Sequence, residues 1–357
     1  MDKILHSQYQ RQKIARRLFR TIVLIIGCTF IFKSICATWI SNRHHPRSWL
    51  HTQVETSRDT PVPDAAVPTV SGEPCPTMPE LEDILVVMKT GATEAMTKLP
   101  IHFSTTLRCI PNFIIFSDFE EDIEGHHLHD TLRDVSPEMK STIPEFEVYH
   151  QLQQSGRDAL TPEQLDEWTA VANTNFGRDS LPWKLDKWKF LPMMEQTLQH
   201  KADAKWYIFL EADTYLIWSN LIPWLSLYNS SEPYYMGAQT AIGETIFAHG
   251  GAGYVLSNPA LRKVVDYRKE NLKETEEYTM NNWAGDEVLA HTLLQAGVMM
   301  HWSFPHVQNH LPGDVDYPDV AYGRRVWCYA TIGWHHLTPA EIAEMHAFAQ
   351  AWDYEVS

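Results

Sequence analysis

The sequence predicts an α/β fold, and three observations carry that prediction: apolar runs of strand length, helix starts interleaved with them, and acids where the runs end. Ile84-Leu-Val-Val-Met88, Asn112-Phe-Ile-Ile-Phe-Ser117 and Trp206-Tyr-Ile-Phe-Leu210 are nearly unbroken in apolar character. That is the pattern of strands buried on both faces of a parallel sheet. Thr161-Pro-Glu-Gln164 and Thr338-Pro-Ala-Glu341 each place a hydroxyl at the N-cap, proline at the first helical position, and Gln or Glu three residues after the cap. Asn258-Pro259 opens a further helix, and Asp286 to Ala296, stopped by Gly297, makes another. Trp183 to Trp188 heads a helix that must kink or restart at Pro192. Ligands of such folds gather beyond the carboxyl ends of the strands, where Asp118, Glu211 and Asp213 fall.

The 357 residues are 44% hydrophobic and 21% charged, which is ordinary globular material and excludes wholesale disorder. The formal charge of -16 divides into +5 over residues 1–20 and -21 beyond. An acidic body argues against nucleic acid as a partner. The basic head precedes Thr21 to Phe32, then Lys33, then Ser34 to Ile40. Such a stretch of roughly twenty helical residues spans about 30 Å, the thickness of a bilayer core. The expected organisation is a cytoplasmic tail over 1–20, a transmembrane signal anchor over 21–40, a Pro-rich stem over 41–79 and a lumenal domain over 80–357. A cleaved signal peptide is the rival reading. Cys75, Cys109 and Cys328 lie outside the apolar segment, enough for one disulfide, for which Cys75 with Cys109 is the expected pair. Asn229-Ser-Ser231 is a glycan acceptor if the body is lumenal.

Glu211-Ala-Asp213 closes the third apolar run. If the extended conformation persists, residues i and i+2 face one cleft, and two carboxylates suit a hard divalent cation that also holds a phosphate. A solvated strand end is the plainer account of an arbitrary acid-x-acid triplet. His249-Gly-Gly-Ala-Gly253 stands just before a helix start without the Rossmann or Walker spacing, so its glycines serve either a ligand or tight packing. Asp286 and Glu287 open a helix, where acids favour the helix dipole and where one of them suits a general base. His335-His336 offers imidazole to a metal. Lys184 and Lys187, three apart, suit a diphosphate or plain solvation.

Taken in order, these segments resemble the β1,3-glycosyltransferase family that includes core 1 galactosyltransferase and the Fringe enzymes, glycosyltransferase family 31, in a fungal-type version. The matching pieces are Phe-Ser-Asp118, Trp183-Lys184 with Lys187, Glu-Ala-Asp-Thr-Tyr215, Tyr235-Met-Gly237, the Gly-rich run through Ser257, the acid before Val-Leu-Ala290, and Trp-His335. They extend over residues 80 to 345. The resemblance implies a GT-A nucleotide-sugar-binding fold, a type II Golgi membrane topology, a UDP-sugar donor, a glycan or glycoprotein acceptor, and Mn²⁺ or another divalent cation. It makes Asp213 the main metal carboxylate, with Glu211 and His335 as further ligands. It places Asp118, Lys184 or Lys187, Gly250 and Gly251 at the donor, and makes Asp286 the catalytic base with Glu287 as fallback. It implies an inverting hexosyltransferase, and a homodimer is compatible with it. The chain departs from the core 1 pattern in carrying Glu211-Ala212-Asp213 where relatives have three consecutive acids. Two other readings use the same residues: a non-catalytic lumenal chaperone or binding subunit, and a membrane-anchored hydrolase with paired carboxylates.

Overall fold

The computed structural model describes Cys75, residues 78–171, 180–318 and 320–353. The tail, the expected membrane anchor and nearly all of the stem lie outside the described residues, as does the segment 172–179. Among the described residues, no helix is long and apolar enough to cross a membrane.

The strands are β1 (Ile84–Lys89), β2 (Phe113–Ser117), β3 (Glu121–Ile123), β4 (His126–Asp130), β5 (Trp206–Glu211), β6 (Tyr215–Leu216), β7 (Tyr235–Gly237), β8 (Gln239–Ile242), β9 (Thr245–Ala248), β10 (Tyr254–Ser257), β11 (Met300–Trp302), β12 (Val320–Ala321), β13 (Arg324–Arg325) and β14 (Gly333–Trp334). Eight of them form one sheet in the order β11-β7-β10-β5-β1-β2-β4-β3. The three runs expected as buried strands are its centre, β5, β1 and β2, all parallel. β10 runs antiparallel between β5 and β7, and β3 closes the far edge antiparallel to β4.

Every residue of β1 is buried, because both faces of the sheet are covered. Val86, Met88, Ile208 and Leu210 pack on one face with Leu221 and Trp224 of the helix Trp218–Leu225. Leu85, Val87, Tyr207 and Phe209 pack on the other, against Met193 and Met194, Leu261 and Val264, and Val288 and Leu289, which come from the helices Phe190–His200, Asn258–Glu270 and Gly285–Gln295. Burying each such side chain contributes about 1.5–3 kcal/mol, which is what pins the strand ends in place.

The helix starts read from the sequence are present, and the two capping boxes form. Thr161 and Gln164 exchange side-chain bonds with each other's backbone N–H at 3.0 and 3.3 Å, and Thr338 and Glu341 do the same at 2.8 and 3.3 Å. The chain breaks just ahead of Pro192. The helix Leu181–Asp186 passes through a 3-10 turn, Lys187–Lys189, and restarts at Phe190, so Pro192 falls in a first turn that needs no N–H donor. The Gly-rich run is followed by β10 rather than directly by a helix; Tyr254 to Ser257 are all buried between β5 and β7, and the helix starts only at Asn258. Cys75 and Cys109 form a disulfide, and Cys328 is free and exposed.

Candidate functional site

Lys89, Asp118 and Glu211 stand at or just beyond the carboxyl ends of β1, β2 and β5, and register sets Lys89 level with Glu211. Lys89 Nζ lies 3.1 Å from Glu211 Oε1 and 2.6 Å from Asp186 Oδ2. Lys189 Nζ continues the series, 3.3 Å from Asp186 Oδ1, 3.0 Å from Asp118 Oδ2, and donating to the Thr90 carbonyl at 2.8 Å. The other Asp118 oxygen accepts the Ala92 N–H at 2.7 Å. Burial would lower both lysines' affinity for protons, but their carboxylate neighbours outweigh it and raise both pKa values. Asp186, half-buried between two ammonium groups, is held below the ordinary carboxylate range against its desolvation by Lys89 and then Lys189.

The extended backbone does not persist to Asp213. β5 ends at Glu211, the Thr214 N–H bonds back to the Glu211 carbonyl at 3.1 Å, and this turn separates the two acids. Glu211 remains with Lys89, and burial, ahead of its acidic neighbours, pushes its carboxyl up. Glu211 thus stands apart from the candidate metal grouping around Asp213. The metal-capable side chains grouped within 4.8 Å are Asp213, His335 and His336.

This corner is held from behind. His102, wholly buried, bonds the Ala212 carbonyl through Nε2 at 2.9 Å and Thr106 through Nδ1 at 3.0 Å, and burial lowers its pKa to about 4. A neutral His102 thus donates to the carbonyl between the two acids. His335 Nδ1 meets Asn309 Oδ1 at 2.9 Å; a carboxamide oxygen only accepts, so Nδ1 donates and Nε2 is left facing inward. That nitrogen lies 3.3 Å from Asp213 Oδ1, which is buried and accepts no hydrogen bond. Two electron-rich atoms aimed at one another with no donor between them are what a cation requires. Burial alone would raise the Asp213 carboxyl, but positive charge around it, including Lys98 at 3.6 Å, holds it below the ordinary range and ionised. His336 adopts a left-handed backbone, φ 65°, a conformation that costs a non-glycine residue about 1–2 kcal/mol.

The glycines answer to these side chains. A Cβ on Gly251 would stand 2.1 Å from His335 Nε2, so only glycine lets the ring in. A Cβ on Gly250 would meet Glu211 Oε1 and Asp286 Cβ, each at 3.3 Å. The loop therefore lies across both acids. Asp286 Oδ2 accepts the Gly250 N–H at 2.8 Å and Oδ1 the Glu287 N–H at 2.9 Å. Burial, then the nearby charge of Glu211, raises its pKa to about 6. Asp286, Glu211, Gly250, Gly251, Asp213 and His335 thus share one neighbourhood.

Two expected residues point elsewhere. The side chain of Glu287 is buried and accepts the Tyr278 hydroxyl at 2.8 Å, which ties two helices together. Lys187 Nζ contacts Glu145 Oε1 at 3.0 Å and donates to the carbonyls of Asn282 at 3.0 Å and Met280 at 3.3 Å, so its charge braces the approach to Asp286. Lys189, two residues on, is the lysine that stands among the acids, between Asp118 and Asp186. Lys184 is half-buried on the preceding helix and outside the charge chain given above. Lys89, Asp186, Lys189, His102 and Asn309 are the residues that sequence reasoning missed. Lys89 alone had a readable signal, a charge closing an otherwise apolar strand.

A mostly parallel α/β sheet thus carries, beyond its strand ends, a candidate metal corner and a carboxylate held by two backbone N–H groups. The Fringe-like family model matches residues 79–301, more than half of the chain, and the chain belongs to that family of glycosyltransferases. The match ends before His335. Glycoprotein-N-acetylgalactosamine 3-beta-galactosyltransferase 1 of Xenopus laevis is 35% identical over 97 residues, 26% of this chain and 25% of that protein. The similarity thus spans about a quarter of that relative's length. A glycosyltransferase involved in glycosylating the PBCV-1 major capsid aligns over 74% of this chain and 98% of its own, at 14% identity and a TM-score of 0.28. The galactosyltransferase LgtC, solved with donor and acceptor sugar analogues, aligns over 75% of this chain and 95% of its own at 13% identity and 0.37. Superpositions that loose do not define a shared fold.

Proposed function

We propose that this protein is an inverting hexosyltransferase of GT-A fold. It moves a hexose or N-acetylhexosamine from a UDP-sugar to a hydroxyl of a glycan or glycoprotein, with a β1,3 linkage as the family's expected product. The observation that carries the proposal is the pairing of an unsatisfied Asp213–His335 corner with Asp286 across the Gly250–Gly251 loop. Asp213 Oδ1 and His335 Nε2 would hold a divalent cation such as Mn²⁺. When bound there, the cation would neutralise charge on a diphosphate leaving group. Asp286 takes the proton of the acceptor hydroxyl as the oxygen attacks the anomeric carbon, and a carboxyl with a pKa near 6 is ionised at neutral pH yet basic enough to accept it. Its two backbone bonds fix the carboxylate's orientation during the transfer. Gly250 and Gly251 let the donor approach the backbone, and Lys98 adds positive charge beside Asp213. Water exclusion around Asp286 protects the sugar nucleotide from hydrolysis.

The Golgi lumen, reached through a type II anchor at residues 21–40, is the proposed location. The Cys75–Cys109 disulfide supports an oxidising compartment, and the exposed Asn229 supports glycan attachment there. The test is to offer the purified protein a panel of UDP-sugars with Mn²⁺, with and without chelator, in wild type and Asp286→Asn. Metal-dependent UDP-sugar binding in both, with transfer only in wild type, is the expected result. No metal-dependent binding of any UDP-sugar would sink the enzyme reading, and full transfer by Asp286→Asn would reject it as the base.

A further inference from the structure

A second group of metal-capable side chains stands on the opposite edge of the sheet, and the transfer reaction has no use for it. Glu120, His127 and His129 present ligand atoms that all lie within 4.8 Å of one another. Strand geometry explains the grouping. Leu128 and Asp130 turn inward and are buried, so His127 and His129, at i and i+2, project together from the other face of β4. The β3–β4 pairing sets Asp122 opposite His127 and Glu121 opposite Leu128, and continuing that register brings Glu120 opposite His129. His127 Nε2 lies 2.9 Å from Glu120 Oε1, and the His127 and His129 rings meet edge to face with centroids 4.6 Å apart.

The surroundings of these ligands resemble a support shell. His127 Nδ1 lies 2.9 Å from Asp122 Oδ1, the carboxylate-histidine contact that orients an imidazole towards a metal and raises its basicity. Glu120 is steadied through its other oxygen, which accepts the Asp130 N–H at 3.0 Å and faces Arg133 at 3.7 Å. His200, at the end of the helix Phe190–His200, brings a third imidazole 6.4 Å from the His129 ring. Two imidazoles with one carboxylate suit zinc and similar transition metals rather than Mg²⁺ or Ca²⁺, which prefer oxygen.

We propose that Glu120, His127 and His129 form a zinc-class metal site, with Asp122 as the carboxylate behind His127. Binding replaces the proton between His127 Nε2 and Glu120 Oε1 with the metal, and that proton leaves to solvent. The bound ion fastens the chain entering β3 to β4 and so stiffens an edge whose outer N–H and C=O groups are unpaired in the sheet. The site is independent of the transferase reading, since none of its residues belongs to the Asp213 corner.

The test is a calorimetric titration of ZnCl₂ into the full chain carrying Asp213→Asn and His335→Gln, which disable the other corner. One zinc should bind. Adding Asp122→Asn should weaken binding by about 10–100-fold, and adding His127→Gln or His129→Gln should weaken it further. In the otherwise wild-type chain, zinc should raise Tm, and His127→Gln should remove that part of the rise which survives Asp213→Asn while leaving transfer activity unchanged. If the double variant does not fold, bound zinc counted by elemental analysis should fall by one ion between wild type and His127→Gln. No zinc binding, or binding indifferent to both histidine substitutions, would overturn the site. A failure to bind UDP-sugars would leave it untouched.

Discussion

From Glu211 through Lys89, Asp186 and Lys189 to Asp118, charges of alternating sign follow one another at 2.6 to 3.3 Å behind the strand ends. At Asp213, by contrast, a buried carboxylate oxygen faces a ring nitrogen at 3.3 Å with no donor, and the nearest ammonium, Lys98, is 3.6 Å away and bound more closely to Glu94. The two regions adjoin, separated by a single turn between Glu211 and Thr214. In the first, three carboxylates share two ammonium groups and every charge has an opposite neighbour within 3.3 Å, so the network holds together without a ligand and acts as scaffold. In the second, acceptors outnumber donors, so the corner is complete only when a cation is present. Ligand sites among buried charges are thus recognised by what is left unmatched, not by how many charges gather.

The sharpest way to break this comparison is to delete one member from each side. Lys89→Met leaves Glu211 and Asp186 without their shared cation, and removing one partner of a buried ion pair costs about 3–5 kcal/mol. Asp213→Asn removes a group with one distant ammonium contact and should cost about 1 kcal/mol, while abolishing Mn²⁺ binding. Urea denaturation with Mn²⁺ titration on both variants would read the difference. Equal stability losses would mean that Asp213 belongs to the scaffold.

Asp286 sharpens the comparison from the side of the reaction. Its carboxyl is raised to about 6 by burial and then by Glu211. The base form is the ionised one, so kcat/KM should be flat above that value and fall tenfold per pH unit below it, each unit corresponding to about 1.4 kcal/mol. Mn²⁺-dependent UDP binding, followed over the same pH range, should retain its strength through the upper part of the fall in rate. If binding and rate decline together with one midpoint, the titrating group is a ligand and not Asp286.

The parts of this site carried by local chemistry were legible in the sequence. Three apolar runs specified the centre of the sheet, because a strand buried on both faces admits little else, and Asp213, Asp286 and His335 stood in short segments of distinctive type. The Gly-rich run signalled a close approach without showing what approached; only the tertiary structure reveals the His335 ring against Gly251 and Asp286 beside Gly250. Lys184 and Lys187 looked like neighbours on one helix, but the helix changes to a 3-10 turn at Lys187, and that ammonium turns to Glu145. Asp186 and Lys189 pair with each other three residues apart, but their partners Lys89 and Thr90, and the His335 partner of Asn309, lie 26 to 99 residues away, which no local pattern encodes. The strand geometry assumed for Glu211 and Asp213 is not what forms: a turn replaces the extended backbone between them.

Glu211 provides the smallest and most selective test of the two-region picture. Its carboxyl is pushed up by burial and neighbouring acids, so the negative charge is already costly where it stands. In Glu211→Gln the amide oxygen still accepts from Lys89 while the desolvated charge disappears, and these two changes oppose one another. The net change in stability should be under about 1 kcal/mol, against the larger loss for Lys89→Met. Mn²⁺ affinity should be nearly unchanged, because the grouping of Asp213, His335 and His336 does not include Glu211. The Asp286 pKa should move down, since a negative neighbour that holds it up is gone, and the acid limb of the rate profile should shift to lower pH. A large loss of Mn²⁺ affinity in Glu211→Gln would instead make both acids ligands, and would mean that the turn at Ala212 opens when the cation binds.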